Sequence, residues 1–458
     1  MGWRTLFWIF IAFIIVVALP VGAPHSWAWG LASIMVGMLL LGWCAERLIK
    51  RRPPAVAASQ VWKILLFFGI AVGWAILQTS SLMPEEWSHP LWAEAALALG
   101  DPSSGGYISV NPHETGSAIV RLLTYGGVFW LALQYGRDRK RAAQLLLALA
   151  LSGALYAIYG IVVEFAGAYS ILWSTDSNLL DDVTSTFVNP SFYATFAGLG
   201  LIVSTGLLIR FIRKAYSVES DMRREQLRLL LIGITSRGWV LMLVWAILAT
   251  ALLLNTSSWA VLSTCVGLTT LFVISAASRG KRTQAVITAV VGVIVSGAAF
   301  LVLSGETISE GLASVNLEYE NRMTANDLAV SAAADTPWLG VGYGTSEEVF
   351  RMYRDRTIPD IYVNAHNIFL ENAIELGIPA FASLLIAIII AVSYCVVGIR
   401  RRRRDKIYPT IAFSAAVLVG SHSLVDYNLQ VPAVGVAFAL ILGIGCAQSW
   451  SSRQRPLN

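Results

Sequence analysis

The groups best suited to chemistry in this sequence gather late in the chain, between residues 318 and 379. Arg322 follows Glu318, Glu320 and Asn321, and further arginines stand at Arg351, Arg354 and Arg356. A guanidinium presents a planar fork of donors to phosphate or carboxylate oxygens, so anion binding is the chemistry these residues bring. The stretch closes on Asn364-Ala365-His366-Asn367-Ile368-Phe369-Leu370-Glu371-Asn372-Ala373-Ile374-Glu375 and runs straight into an apolar segment. A histidine titrates near neutral pH and can take a proton from a hydroxyl. Asn367, Glu371 and Glu375 are polar groups at the mouth of an apolar helix, a costly placement unless they are used. Plainer roles compete. Arg351, Arg354 and Arg356 can pair with Glu347, Glu348 and Asp355 along one short amphipathic helix, or lie along a membrane surface. A lone histidine is more often a cap or a packing residue.

Between these groups lies Asp335-Thr336-Pro337-Trp338-Leu339-Gly340-Val341-Gly342-Tyr343-Gly344. Its alternating glycines lack the preceding strand, the glycine offset and the lysine of a phosphate-binding loop. They predict a tight turn with exposed backbone. His422 and Asp426 stand four residues apart, which on a helix puts both on one face, where the carboxylate would orient the ring. That spacing fits a bracing network at a helix end and equally a direct contact with a ligand. Cys44, Cys265, Cys395 and Cys446 fall inside apolar segments without metal-ligand spacing. They read as packing residues, and no disulfide framework, metal or cofactor is expected.

The elements that must hold these groups are membrane helices. Of 458 residues, 56% are hydrophobic and 13% charged, against roughly 25% charged in an average soluble domain. Apolar runs of about 17 to 25 residues match the length a helix needs to cross hydrocarbon, and they are not the short alternating segments of a barrel. The chain is therefore expected to be all-α and polytopic, with about twelve spans near 3–21, 27–45, 61–78, 117–135, 142–166, 191–212, 239–254, 259–277, 283–303, 374–398, 409–425 and 433–449. The stretch Met1 to Val21 reads as a retained first helix, because a second span follows almost at once.

Basic clusters orient these spans. Arg47/Lys50/Arg51/Arg52, Arg137/Arg139/Lys140/Arg141, Arg210/Arg213/Lys214, Arg223/Arg224/Arg228, Arg279/Lys281/Arg282 and Arg400 to Lys406 each follow an even-numbered span. The positive-inside rule makes those loops, and both termini, cytoplasmic. This distribution also removes the nucleic-acid reading that a net charge of +5 invites. The opposite face contains no lysine, and its basic residues are Arg121, Arg322, Arg351, Arg354 and Arg356. Two long segments face that way, 79–116, with Trp87, His89, Trp92, Tyr107 and His113, and 304–372, with the candidate site. Loops of this length usually have a function or are disordered. The whole chain, 1–458, reads as a single transmembrane domain without internal repeat.

Once these strings are set side by side, the sequence resembles a family. His366-Asn367-x-x-Leu370-Glu371-x-x-x-Glu375-Leu376-Gly377-Ile378 is similar to the signature of the O-antigen ligase and polymerase superfamily. Arg322 and Asp335-x-Pro337-x-Leu339-Gly340-Val341-Gly342 resemble its other central elements. Thr186-Phe187-Val188-Asn189-Pro190-Ser191-Phe192-Tyr193-Ala194 resembles its Phe-x-Asn-x-Asn-x-x-Ala segment, which brings in Asn189. His422-Ser423-Leu424-Val425-Asp426-Tyr427-Asn428-Leu429-Gln430-x-Pro432 resembles its late outward motif. The resemblance covers about residues 110 to 450, in the family's order.

What the resemblance implies is a metal-independent, inverting glycosyltransferase of the GT-C type, working on the periplasmic face of a bacterial inner membrane. Its donor would be an oligosaccharide on a polyprenyl diphosphate and its acceptor a second glycan, with membrane lipid around it and room for a chain-length regulator. Arg322 would hold the diphosphate and His366 would act on the acceptor hydroxyl. Asn367, Glu371, Arg351, Arg354, Arg356, Asn189, His422 and Asp426 are then candidates for substrate binding. A repeat-unit polymerase is favoured over a ligase to lipid A core. A transporter of the same lipid, or a scaffold without catalysis, is the alternative of another class. Two departures stand out. Where the family carries a second arginine, at the outer end of the seventh span, this chain has Thr256-Ser257-Ser258-Trp259. The second asparagine of the Phe-x-Asn-x-Asn segment is Ser191.

Overall fold

Four of the helices begin with proline in their first turn, at Pro90, Pro112, Pro190 and Pro432. The missing N–H is no loss there and the fixed φ suits a helix start. Side-chain caps complete several helix starts. Asn111 Oδ1 accepts from the Glu114 N–H at 3.2 Å, and Asp138 Oδ1 accepts from the N–H groups of Lys140 and Arg141, so donors that no helical carbonyl reaches are satisfied.

The computed structural model describes residues 3–19, 26–100, 105–166, 185–187, 189–216, 238–278, 282–303, 308–354, 365–402 and 405–450. Among them the regular structure is helical, without strands. The α-helices are α1 (Trp3–Val16), α2 (Ser26–Ile49), α3 (Trp62–Gln78), α4 (Pro90–Leu99), α5 (Pro112–Tyr135), α6 (Arg139–Phe165), α7 (Pro190–Tyr216), α8 (Trp239–Leu253), α9 (Ser258–Ala277), α10 (Arg282–Leu303), α11 (Ile308–Asp335), α12 (Ser346–Tyr353), α13 (Ile368–Arg401), α14 (Ile407–His422) and α15 (Pro432–Ser449).

Every predicted span coincides with a helix. Among the described residues seven of them, α2, α5, α6, α7, α9, α13 and α15, are long and apolar enough to cross a membrane, and the other apolar helices give shorter described stretches, α10 over Thr283–Ala298. The chain is a multi-pass membrane protein. Its packing is the reverse of a soluble fold on the outer helices, where Ile34, Met38 and Leu41 lie exposed on one face of α2. Hydrocarbon, not water, is the solvent such a surface fits. At the centre stands α15, almost wholly buried among α5, α6, α7, α13 and α14. Cys446 on α15 and Cys395 on α13 are buried packing residues, Cys265 is partly buried and Cys44 exposed, and all four are free thiols.

Arginines close the end where α15 finishes. Arg137 donates to the carbonyls of Ala447 and Trp450, Arg402 donates to the carbonyl of Gln448, and Arg139 pairs with Asp405 at 2.8 Å. Cations there complement the carbonyl end of the helix. The candidate site lies at the other end, where α5, α13 and α15 begin.

At that end, α11 and α12 build a small core of their own. Ala325, Ala329 and Ala332, spaced as one helix face, meet Val110, Val341, Val349, Phe350 and Ile374. The segment 79–116 is no open loop. It contains α4, whose N-terminus His89 caps at Leu91 N, and Trp92 donates to the Ser109 carbonyl.

Candidate active site

The scaffold of the site is a clamp between the glycine-rich stretch and a break in α13. That helix is 34 residues long, about 51 Å at roughly 1.5 Å per residue, more than hydrocarbon of about 30 Å requires. It is interrupted at Gly377, with φ 71° and ψ 159°, two residues before Pro379. The N–H groups of Val341, Gly342 and Ile378 donate to Ile374, Glu375 and Pro337 respectively. Gly340, at φ +68°, comes so close that an added Cβ would sit 2.3 Å from the Glu375 carbonyl oxygen. The sequence predicts a tight turn here and the structure has one, but its backbone is not exposed. These groups bond to α13 and to Gln78. Gln78 is fully buried; its amide nitrogen donates to the carbonyls of Leu339 and Glu375, and its amide oxygen accepts from Tyr343 N. The Glu375 carboxylate accepts from Ser346 N at the start of α12. Gln78 was not singled out by sequence reasoning, although an amide ending an apolar span is a signal that could have found it.

On this scaffold Arg322 and His366 meet one turn, residues 423–428, between α14 and α15. Arg322, partly exposed on α11, donates from Nη1 to the Val425 carbonyl. His366 Nδ1 lies 3.7 Å from Asp426 Oδ1, and its ring meets Tyr427 edge to face at 5.3 Å. His366 has φ +50°, a left-handed conformation that costs a residue with a Cβ about 1–2 kcal/mol. Backbone strain held at one histidine is the kind of outlier that marks a working site. Asp426 on the Nδ1 side favours the proton on that nitrogen and leaves Nε2 as the basic atom.

Behind the pair lies a closed polar network. Ser191 donates to Asp426 Oδ2 at 2.5 Å and lies 3.2 Å from His422 Nε2. Ser257 donates to Ser191 Oγ at 3.2 Å. His422 Nδ1 lies 2.9 Å from Asn428 Nδ2 and 2.8 Å from Thr195 Oγ1. A His422 ring with its proton on Nε2 donates to Ser191 and accepts from Asn428 at Nδ1, Ser191 then gives one hydrogen and accepts two, its full capacity, and the Thr195 hydroxyl donates to the Ser191 carbonyl. Burial by itself would raise the Asp426 carboxyl, but the His366 hydrogen bond, the charges of both histidines and the Ser191 hydroxyl outweigh it and hold it at about 2. It is an ionised group at neutral pH.

His422 is fully buried and braces the site without a surface for a ligand. It ends α14, so Asp426 is not a further turn of the same helix but a turn residue folded back to 3.8 Å from His422 Nε2. Asn367 caps α13, its Oδ1 accepting from Phe369 N and Leu370 N, and Asn189 accepts from Ser191 N at the start of α7. Both amide oxygens serve the backbone. Arg351 pairs with Glu347 at 2.5 Å on the exposed face of α12, the plainer of its two expected roles. Arg354 follows the end of α12, and Arg356 lies outside the described residues. Glu371 is fully buried, accepts from Gln430 Nε2 at 2.8 Å, and keeps one carboxylate oxygen without a hydrogen-bond partner among the described residues. Ser191 and Ser257, which the sequence marked as departures, belong to the network itself.

Residues 241–385 match the family model described as O-antigen ligase. The match supports the resemblance to the O-antigen ligase and polymerase superfamily, whose members are glycosyl-transfer enzymes of the membrane acting on lipid-linked glycans. It spans Arg322, His366, Glu371 and the Ser257–Trp259 segment, and stops short of Asp426. A comparison with curated proteins gives no match.

Proposed function

We propose that this chain is a glycosyltransferase that takes an oligosaccharide from a polyprenyl diphosphate at the non-cytoplasmic face of a bacterial inner membrane. In this reading the chain crosses twelve times, both termini are cytoplasmic, and the site lies at the end remote from the arginine-rich loops. The observation that carries it is the convergence of Arg322 and His366 on Val425 and Asp426, one residue apart.

The chemistry follows from those contacts. Asp426 holds the His366 ring, and Nε2 takes the proton of the acceptor hydroxyl as its oxygen bonds to the anomeric carbon. The bond from that carbon to the diphosphate oxygen breaks, and the lipid diphosphate leaves with the electron pair. Arg322 holds that growing negative charge, a guanidinium in the role a metal ion fills elsewhere. A single displacement of this kind inverts the anomeric carbon.

Repeat-unit polymerisation is the favoured form, with a chain-length regulator as a compatible partner. Transfer to lipid A core is the second reading, favoured by the description of the matched family. Extracting the lipid-linked species of a deletion strain separates them. Single repeat units on the lipid are expected, and full-length polymer on the lipid would establish the ligase. A transporter would place polar groups within discontinuous spans near the midplane. Normal glycan transfer by purified His366→Ala protein would overturn the catalytic reading.

A further inference from the structure

Between α3, α5, α13, α14 and α15 lies a cavity of about 690 Å³, within the roughly 300–1,000 Å³ of small-molecule sites. Its walls are mostly hydrocarbon, with Phe68, Ile388 and Val417 among them. Arg121, Tyr125 and Gln430 line it as well, on the parts of α5 and of the turn before α15 that adjoin the site. Arg121 stacks on Trp29, 4.6 Å from the ring centroid, and makes no salt bridge among the described residues. Glu375 lines the same cavity; its carboxylate accepts from Ser346 N and also feels the Arg121 charge. From Arg121 the lining leads back to the reacting pair. Tyr125 stands one turn along α5 with its hydroxyl 3.5 Å from the Gln430 carbonyl, Gln430 donates to Glu371, and Glu371 stands in the first turn of α13, which begins two residues after His366.

A mostly apolar cavity with one guanidinium in its lining offers hydrocarbon and a cation to the same ligand. We propose that it seats the hydrocarbon chain of a phosphate-headed lipid, with Arg121 on the phosphate, and that Arg121 supplies the second cation that the Ser257–Trp259 segment lacks. The proposal rests on the functional reading above, since it makes that lipid the donor. A guanidinium beside hydrocarbon is suited to the task, because it is weakly hydrated and binds phosphate oxygens two at a time.

The test is binding of polyprenyl diphosphate without a glycan to the purified full chain in phosphatidylcholine nanodiscs, with phosphatidylglycerol and inorganic diphosphate as competitors. Val417→Trp and, independently, Ile388→Phe fill the cavity, and Arg121→Ala removes the cation. Only variants that elute as wild type are scored. Each is expected to weaken binding about tenfold or more, while neither competitor displaces the lipid at equal concentration. Phosphatidylglycerol competing equally would make the cavity a slot for ordinary membrane lipid and overturn the proposal. So would wild-type affinity in all three variants together with loss in Arg322→Ala, a result that leaves the glycosyltransferase reading standing. Normal lipid binding by a wild-type protein that transfers no glycan would instead sink the functional reading and keep the lipid site.

Discussion

Ser257 donates to Ser191 Oγ at 3.2 Å, so the two places where the sequence departs from the pattern of the family it resembles touch each other. Through Ser191 both lead to Asp426, and through Asp426 to His366. The departures are thus one local rearrangement, in which small hydroxyls close a network around the carboxylate. Such a network holds a side chain firmly only while every member is satisfied.

Ser191→Ala is expected to destabilise the protein by about 1–3 kcal/mol, because it strips Asp426 Oδ2 of its donor and leaves a buried polar atom unmet. Ser257→Ala removes only one of two hydrogen bonds that Ser191 accepts, and is expected to cost at most about 1 kcal/mol. Melting of the two single variants and the double variant checks this, and strictly additive effects would show that the serines are not coupled.

Loss of the base should be felt in rate and not in folding. His366→Ala is expected to lower glycan transfer by about 10²–10⁴-fold with normal protein levels, and Arg322→Lys to fail as a substitute for Arg322, since an ammonium lacks the planar fork. Arg351→Ala, which breaks only an exposed pair with Glu347, should change stability by less than about 1 kcal/mol and leave transfer as it was. A kinetic defect in that variant would return α12 to the site.

Acid should loosen the turn that carries the site. The Asp426 carboxyl is held at about 2 in the fold against about 3.9 in an unfolded chain. A depressed carboxyl stabilises above its unfolded value, so the contribution, about 2 kcal/mol, is complete above pH 4 and is lost as pH falls toward 2. Melting temperatures measured across that window should fall in the wild type, with a shallower slope in Asp426→Asn. Equal slopes would show that other carboxylates govern acid sensitivity.

The clamp at Gly377 sets a steric prediction. An added Cβ at Gly340 would lie 2.3 Å from the Glu375 carbonyl oxygen, and one at Gly377 would lie 2.6 Å from that of Trp338. Backbone cannot yield as a side-chain tip does, so Gly340→Ala and Gly377→Ala should each cost several kcal/mol, about 3 or more, and prevent accumulation of folded protein. Gly100→Ala is the control, with φ +67° but no atom within 4 Å of the new carbon. It should cost about 1 kcal/mol, and membrane yields of the three variants would reveal the difference.

Much of this was legible in the chain. The helices followed from the length of the apolar runs, because in hydrocarbon the backbone must satisfy itself locally. Arg322 stood out because a side stripped of lysine retains arginine only for a reason, and His366 because it leads polar groups into an apolar helix and matches a string of the family the chain resembles. The role of Asn189 was harder to read, since capping and ligand binding ask for the same amide and only its bond to Ser191 N separates them. His422 and Asp426 were recognised as a pair, but i and i+4 spacing does not tell where a helix stops, and α14 ends at His422.

By itself, then, the sequence determined the membrane class and the helical segments, which depend on local composition, while the two residues proposed to do the chemistry were marked by its resemblance to a family. The tertiary structure decided which residues surround them. Ser191 and Asp426 are 235 positions apart, Gln78 and Glu375 are 297 apart, and Arg121 enters from α5 at a cavity that several helices enclose. Contacts of that range depend on how helices pack, and packing is set by the shapes of many side chains at once. No short string carries that information. It is why Arg351, prominent in the sequence, turned outward, and why Arg121, which the motifs pass over, lies at the lining of a cavity beside the site.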